Sequence, residues 1–171
     1  MIIDICHSGI VDAELIADLS QKTFFDTFAP YNSKEDMEKF LKEQFNKEAL
    51  MKEVGDMRNI FFLAYVGKEV VGYLKLREGK SMKEFNGEPS LEIARIYTLH
   101  KMIGKGIGSA LMKKSIYVAR KSNKKLIWLG VWKENKTAID FYKRWGFEIF
   151  GEQEFLLGND LQKDWLMKRE V

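Results

Sequence analysis

The feature that most restricts how this chain folds is a glycine cluster, Gly104-Lys105-Gly106-Ile107-Gly108, set between a strand-like run and a helix-like run. Glycines adopt backbone conformations that other residues avoid, and they leave room for a ligand to approach. The first N–H groups of a helix lack partners within the helix, and the helix dipole adds partial positive charge there. The cluster therefore predicts a loop that binds phosphate through backbone amides, with Lys105 adding a positive charge.

Two better-known phosphate motifs do not fit the sequence. Gly79-Lys80-Ser81 has Leu74 where the first glycine of a Walker loop is required. A dinucleotide fingerprint that begins at Gly106 would need glycine at Leu111. A plain strand-to-helix turn with flexible glycines remains the alternative to a phosphate site.

Apolar periodicity predicts one domain, residues 1–171, in which helices and strands follow one another in a defined order. The predicted strands are 2–6, 60–66, 70–76, 91–99, 126–131, 147–157 and 161–168, and the predicted helices are 12–28, one from Ser33, 49–54, 107–122 and 137–145. Residues 78–90 are polar and are predicted to form a mobile loop. This order favours an α/β (α+β) fold with a mixed sheet and helices on both faces.

Composition excludes several classes of protein. Hydrophobic residues make up 46% of the chain and charged residues 31%, which suits a globular domain rather than a disordered one. The net charge of +3 is spread along the chain and does not indicate nucleic acid as a partner. One cysteine, no signal peptide and no membrane-length apolar run predict a cytoplasmic protein. His7 and His100 lack metal-ligand spacing, so no metal is expected.

Two segments resemble the signatures of the GCN5-related N-acetyltransferase (GNAT) family. Residues 96–111, IYTLHKMIGKGIGSAL, are similar to its acetyl-CoA motif, and residues 135–147, NKTAIDFYKRWGF, are similar to its second signature, in the same order. Residues 23–28, residues 127–132 and the hairpin around Gly158 resemble the PaiA-type polyamine acetyltransferases more closely. The resemblance covers the whole chain and implies the GNAT fold, with a mixed, mostly antiparallel central sheet.

The resemblance implies acetyl-CoA as co-substrate and assigns residues to it. The pantetheine arm is expected to pair with Ile96, Tyr97 and Thr98. The pyrophosphate is expected on the amides of Gly104, Lys105, Gly106, Ile107, Gly108 and Ser109. One position departs from the family, because Ile103 stands where Gln or Arg is usual, which removes a possible side-chain contact and predicts lower CoA affinity.

The second signature carries further expected contacts. Asn135 either touches the pantetheine arm or acts as an N-cap of the next helix. Ala138 and Phe141 are expected to pack that helix and touch CoA, and Arg144 to reach the 3′-phosphate or to lie on a solvated face. Tyr142 is the candidate catalytic acid, since a phenol can protonate the leaving thiolate. Without the family context it reads as an ordinary helix tyrosine.

The general base is the second catalytic assignment. Many relatives that acetylate polyamines carry a carboxylate two residues before the Ile-Tyr-Thr segment, where this chain has Ala94. Glu92 lies two residues earlier, and period-2 alternation would place it on the same face as Ala94. Glu92 is therefore the candidate base, with a solvated strand-end carboxylate as the alternative.

The implied reaction is transfer of an acetyl group from acetyl-CoA to a small primary amine, most of all a polyamine such as spermidine or spermine. Acidic residues of the N-terminal helices could attract such a cation, although they also fit an ordinary charged surface: Asp26, Glu35, Asp36, Glu38, Glu43, Glu48 and Glu53. The alternatives are another acceptor (a protein N-terminus, an amino acid or an antibiotic), a CoA-binding regulatory protein with little catalysis, and a generic phosphate-binding module. A homodimer is possible, and neither membrane nor nucleic acid is expected as a partner.

Overall fold

The computed structural model describes all 171 residues, and its elements follow the predicted order. The helices are α1 (Ala13–Phe28), α2 (Lys34–Glu43), α3 (Lys47–Val54), α4 (Ile107–Lys121) and α5 (Lys136–Arg144). The strands are β1 (Asp4–Ser8), β2 (Asn59–Val66), β3 (Glu69–Arg77), β4 (Ser90–Thr98), β5 (Leu126–Trp132), β6 (Glu148–Leu157) and β7 (Asp160–Glu170). No helix has the length and apolarity that crossing a bilayer requires.

All seven strands belong to one sheet, in the order β1-β2-β3-β4-β5-β7-β6. Every neighbouring pair is antiparallel except β4 and β5, which confirms the prediction of a mixed, mostly antiparallel sheet. The parallel contact is short, because only Ser90–Glu92 pair with Leu126–Trp128. Beyond those three pairs β4 and β5 diverge and leave a gap in the middle of the sheet.

Helices cover both faces of the sheet, as predicted. A methyl group at Gly72 on β3 would lie 3.1 Å from the Ile107 side chain, so this face of the sheet meets α4. The next residue, Tyr73, points to the opposite face, where Ser20 and Thr23 of α1 lie beside its hydroxyl. The main apolar cluster joins the sheet to α4, and a second, aromatic-rich cluster lies among α1, α2 and α3.

Side-chain caps define two of the first three helix starts. The Ser33 hydroxyl accepts the Asp36 N–H at 3.1 Å, which confirms the predicted start of α2. Asn46 caps α3 in the same way, at 2.9 Å from the Ala49 N–H. Asp12 precedes α1 and does not cap it with its side chain, since its carboxylate accepts the Gly9 N–H and closes a short 3₁₀ turn.

The loop between β3 and β4 is anchored rather than loose. A 3₁₀ turn, Lys83–Phe85, places the Phe85 ring in the interior with 2% of its surface exposed. The ring packs against Trp128 on β5 and Phe150 on β6. The loop was predicted to be mobile from its polar composition, but the one buried aromatic side chain, Phe85, fixes it to the sheet.

The tip of the β6–β7 hairpin docks on the start of α2. The Asn159 N–H donates to the Asp36 carboxylate at 2.7 Å, and Lys39 donates to the Asn159 side chain at 2.6 Å. Gly158 has φ +63°, and a Cβ there would lie 2.5 Å from the Asp36 Cα. This docking holds α2 over the same face of the sheet as α1.

Candidate active site

The gap between β4 and β5 is the centre of the candidate site. Ile96, Tyr97 and Thr98 pair with β3 on one side only. Their other edge faces the gap, so the backbone groups along it are free to bond an extended ligand as an added strand would. The predicted pantetheine residues therefore lie where such pairing is possible.

A β-bulge at Ala94 changes which β4 side chains share a face. The register between β3 and β4 shifts by one residue here, and Ala94 is the residue without a partner. Because an extra residue reverses the alternation, Glu92 shares a face with Arg95 and Tyr97. The regular alternation from which Glu92 was expected on the same face as Ala94 is therefore interrupted at Ala94 itself.

Glu92 is engaged in an ion pair at this bulge. Its side chain is 6% exposed, and its two oxygens accept bonds from the Arg77 guanidinium at 2.7 and 2.9 Å. The Lys80 ammonium lies 4.0 Å away. The bidentate pair occupies both oxygens, so the geometry favours a structural role for Glu92.

The glycine cluster has the backbone conformation that phosphate binding requires. Gly104 and Gly106 have φ of +79° and +87°, in the left-handed region, and Gly106 is the N-cap of α4. The first helical bond runs from the Ala110 N–H to the Gly106 carbonyl at 3.0 Å, which leaves the preceding helical amides without acceptors. These are the amides of Ile107, Gly108 and Ser109.

Lys105 contributes to the loop in a different way from its neighbours. Its N–H donates to the Met102 carbonyl at 3.2 Å, so this amide closes a turn inside the loop. Its side chain is exposed, with the ammonium 3.9 Å from the Met102 sulfur. Any attraction of Lys105 for phosphate therefore comes from its ammonium. Ile103, at the start of the loop, is 58% exposed.

Helix α5 lies against the start of α4. A methyl group at Gly108 would be 3.6 Å from the Phe141 ring, an ordinary van der Waals distance, so the two helices pack against each other at this position. Asn135 caps α5, its side-chain oxygen accepting the Ala138 N–H at 3.2 Å. This is the capping role that the sequence left open for Asn135. Arg144 lies exposed at the end of the helix.

Tyr142 is the buried phenol of α5, with 8% of its surface exposed. Burial raises the pKa of Tyr142 well above its usual value, and no charge or hydrogen bond contributes to that shift. Burial, followed by the neighbouring phenols of Tyr73 and Tyr142, also raises the pKa of Tyr97. Tyr142 therefore stays protonated at neutral pH, beside a strand that borders the gap.

The α1 side of the gap has aromatic walls. Trp132 at the end of β5 lies 6.0 Å from the Phe28 ring and 5.5 Å from the Tyr31 ring, centroid to centroid. The Trp132 side chain is half-buried, packing on the aromatic-rich cluster and bordering this cleft. Next to it, Gly130 has no side chain and its backbone is exposed.

Asp164 and Gln153 complete the cleft, and sequence reasoning missed both. Asp164 on β7 is the register partner of Trp132, and Gln153 on β6 is the register partner of Asp164. A Cβ at Gly130 would lie 2.8 Å from the Gln153 amide nitrogen and 3.6 Å from a carboxylate oxygen of Asp164. No local motif marks these residues, because only the pairing of β5 with the C-terminal hairpin brings them together.

The acidic residues of the first three helices are mostly paired elsewhere. Asp26 and Glu48 form ion pairs with lysines one turn away on exposed helix faces, and Asp36 holds the hairpin tip. Glu53 turns inward, where the Arg95 guanidinium lies 2.6 Å and the Lys75 ammonium 2.9 Å from it. Together these contacts fit the charged-surface alternative better than an acidic lining of the cleft.

The sequence is similar to a family of known proteins over most of its length. Residues 16–147 match the family model described as the Acetyltransferase (GNAT) family. An uncharacterized N-acetyltransferase from the pepI 3′ region of Lactobacillus delbrueckii subsp. lactis is 39% identical over 158 residues, covering 92% of this chain and 91% of that protein. A spermidine N(1)-acetyltransferase of Thermoplasma acidophilum is 23% identical over 153 residues, covering 87% and 90%.

Solved structures share the fold. The crystal structure of PaiA N-acetyltransferase from Thermoplasma acidophilum in complex with coenzyme A superposes with a TM-score of 0.78 at 21% identity, covering all of both chains. That of yncA from Salmonella typhimurium with acetyl-CoA gives 0.73 at 16% identity, covering 98% of this chain and 93% of that one. The matched model, the identity to a named N-acetyltransferase and the gapped sheet together establish that this chain belongs to the GNAT family of acetyltransferases.

Proposed function

We propose that this acetyltransferase moves the acetyl group of acetyl-CoA to a primary amine of a small molecule, and that a polyamine such as spermidine or spermine is its acceptor. The observation that carries the proposal is the open edge of β4 beside a loop of free amides, with the protonated Tyr142 phenol near Tyr97 on that strand. Binding of an acyl thioester and protonation of its leaving group need these parts together.

The residues present fit coenzyme A. The free edge of Ile96, Tyr97 and Thr98 suits the amide-bearing pantetheine arm, and the exposed amides at the start of α4 suit a pyrophosphate. Gly104 and Gly106 let the phosphates approach the backbone, since neither has a side chain. Arg144 and the Lys105 ammonium are placed on exposed positions from which they can attract the phosphates. The Thermoplasma and Salmonella structures with bound coenzyme support this assignment.

In the proposed reaction, the nitrogen of a neutral amine bonds to the thioester carbonyl carbon of acetyl-CoA, the bond from that carbon to sulfur breaks, and the nitrogen gives up one proton to water. Tyr142 holds the proton that the departing sulfur takes up, because burial keeps its phenol protonated at neutral pH. The Ala94 bulge directs backbone groups of β4 toward the gap, where an N–H can stabilise negative charge on the carbonyl oxygen. Glu92 keeps its carboxylate on Arg77 and stabilises the bulge.

Two observations support a polyamine acceptor over other amines. The Thermoplasma relative named a spermidine acetyltransferase spans nearly the whole chain, as does the PaiA structure. In the cleft, the rings of Trp132 and Tyr31 present apolar surface to a methylene chain, with the buried Phe28 ring packed behind Trp132. Aromatic faces also attract alkylammonium groups.

The test is turnover with acetyl-CoA and a panel of amines: spermidine, spermine, butylamine, lysine, an alanine-starting peptide and an aminoglycoside. Release of the CoA thiol and the mass of the product are measured for each. We expect spermidine or spermine to give the highest kcat/KM. A tenfold preference for the peptide would show that the acceptor class is wrong. Tight CoA binding with no acetylated amine would instead indicate a regulatory protein.

A further inference from the structure

We infer that the Asp164 carboxylate binds an ammonium group of the acceptor and so selects cationic alkylamines. This inference rests on the proposed function and names a group that recognises the substrate. It depends on where β7 places Asp164, on the missing side chain at Gly130, and on the lack of a cation beside the carboxylate.

Asp164 lies on the acceptor side of the sheet. Its register partner is Trp132, whose ring borders the cleft, and the charge of Asp164 contributes to the raised pKa of Tyr97 after burial and the two neighbouring phenols. The carboxylate is therefore near both strands that border the gap. Gly130 on β5 is exposed and lies directly beside this carboxylate, since a Cβ there would be 3.6 Å from an Asp164 oxygen and 2.8 Å from the Gln153 amide nitrogen.

The charge of Asp164 is uncompensated within the protein. Its one hydrogen bond comes from the Gln153 amide at 3.5 Å, a long contact. The neighbouring acid on the same hairpin, Glu152, is paired with Lys133 and Lys163, and Glu92 is paired with Arg77. Burial raises the pKa of Asp164. A half-buried carboxylate without a cation is costly, and an incoming ammonium group would offset that cost.

The surroundings of Asp164 define the class of ligand. The rings of Trp132, Tyr31 and Phe28 form the wall next to it, so a cation that reaches Asp164 also contacts aromatic surface. This combination favours an ammonium group on a flexible apolar chain over an anionic or bulky polar acceptor. The inference thus assigns the specificity of the site to one strand of the C-terminal hairpin.

The test compares Asp164→Asn with Glu154→Gln, which removes a carboxylate from an exposed position on the same hairpin. For spermidine acetylation, we expect Asp164→Asn to raise KM at least tenfold with kcat within about threefold of wild type. CoA affinity should not change, and Tm should be equal or higher because an unpaired half-buried charge has been removed. Glu154→Gln should stay within twofold of wild type in every quantity.

Calorimetry of spermidine binding to the CoA-loaded protein gives a second measurement that needs no turnover. Wild type should bind, Asp164→Asn should bind at least tenfold more weakly, and Gly130→Ala should also bind weakly because its methyl group would displace the Gln153 amide that lies against Asp164. If wild type acetylates no amine, the proposed reaction fails, and this calorimetry still decides on Asp164. Equal binding by wild type and Asp164→Asn, no binding by wild type, or a loss of Tm in Asp164→Asn would overturn the inference.

Discussion

Tyr142 is the residue whose hydroxyl has the clearest chemical use. The phenol is buried, its pKa is raised by that burial alone, and no hydrogen bond within the protein contributes. Removing the oxygen therefore leaves no group unpaired and no cavity of consequence. Replacing Tyr142 with phenylalanine therefore removes the proton donor and keeps the packing of the ring.

For Tyr142→Phe we expect kcat to fall by about 10²- to 10⁴-fold, because the leaving sulfur loses its proton donor. CoA affinity and Tm should stay at the wild-type values. Single-turnover thiol release and calorimetric titration with CoA measure these quantities. Tyr117→Phe, at an exposed tyrosine on α4, is the control and should change none of them. A kcat of Tyr142→Phe within threefold of wild type would exclude this phenol as the acid.

For single residues, the spacing of residue types along the sequence predicted the structural role of some positions and not of others. The Asn135 cap and the glycine conformations at 104 and 106 follow from short patterns, and the structure has the cap and the positive φ angles. The interrupted alternation next to Glu92 was not predicted because a bulge is a property of strand pairing and leaves no local mark. Asp164 was missed because its neighbours on β5 and β6 are found only from the register of the hairpin.

Among the elements, the loop before α4 combines glycines at positive φ with backbone N–H groups that have no hydrogen-bond acceptor in the helix. Gly106 has φ +87° at the N-cap of α4, and Gly87 has φ +81° in the loop before β4, with open space around it. An alanine at either position takes a disfavoured conformation. The two glycines thus form a matched pair, one beside the proposed phosphate site and one remote from it.

We expect Gly106→Ala to weaken CoA binding at least tenfold, because the added Cβ and the strained backbone displace the amides at the start of α4. Both Gly87→Ala and Gly106→Ala should lower the free energy of unfolding by about 1 kcal/mol or more, because each puts a side chain in the left-handed region. Gly87→Ala should leave the Kd for CoA unchanged. Calorimetry and chemical denaturation measure the two effects. Equal CoA affinity in the two variants would argue against phosphate binding by this loop.

The β6–β7 hairpin depends on close backbone contact at its tip. A Cβ at Gly158 would lie 2.5 Å from the Asp36 Cα, whereas one at Gly67, with similar φ, would meet nothing. Gly158→Ala should therefore destabilise the chain by more than Gly67→Ala, which itself should cost about 1 kcal/mol. Thermal unfolding of both variants tests this. Indistinguishable Tm values would mean that the hairpin moves away from α2 without cost.

In the whole molecule, one buried ion cluster joins α3 to the sheet. Burial by itself would raise the pKa of Glu53, but the Arg95 and Lys75 contacts outweigh it, and the pKa lies below the usual value. A lowered carboxyl pKa gives stability that is present above the unfolded value of 4.5. That stability is lost as the pH falls through the lower, folded pKa.

Glu53→Gln should lower the free energy of unfolding by about 3 kcal/mol at pH 7, since two cations stay buried without their counter-ion. The difference from wild type should shrink as the pH falls below 4.5, where Glu53 of the unfolded wild-type chain becomes protonated. Denaturation at several pH values measures it. Glu48→Gln, which breaks an exposed pair on the same helix, is the control and should leave the free energy of unfolding nearly unchanged at every pH. A difference that does not depend on pH would contradict this account.

The architecture of the whole chain was predictable, since strand and helix periods, turn glycines and the Ser33 cap all agree with the observed order. The loop from residue 78 to 90 was not, because a single buried ring, Phe85, decides its anchoring. The cytoplasmic location and a homodimer stay predictions. Helices and strands could be predicted from the sequence because their patterns repeat along the chain. A single buried side chain such as Phe85, or a register shift such as the one at Ala94, has no such pattern and could not be predicted.

The gap between β4 and β5 also divides the sheet mechanically. Only three residue pairs join the four-stranded part, β1 to β4, to the three-stranded part formed by β5, β7 and β6. A coenzyme lying in the gap would bond both parts and act as a missing rung of the sheet. Because the coenzyme binds only the folded chain, a chain saturated with it should unfold at higher temperature.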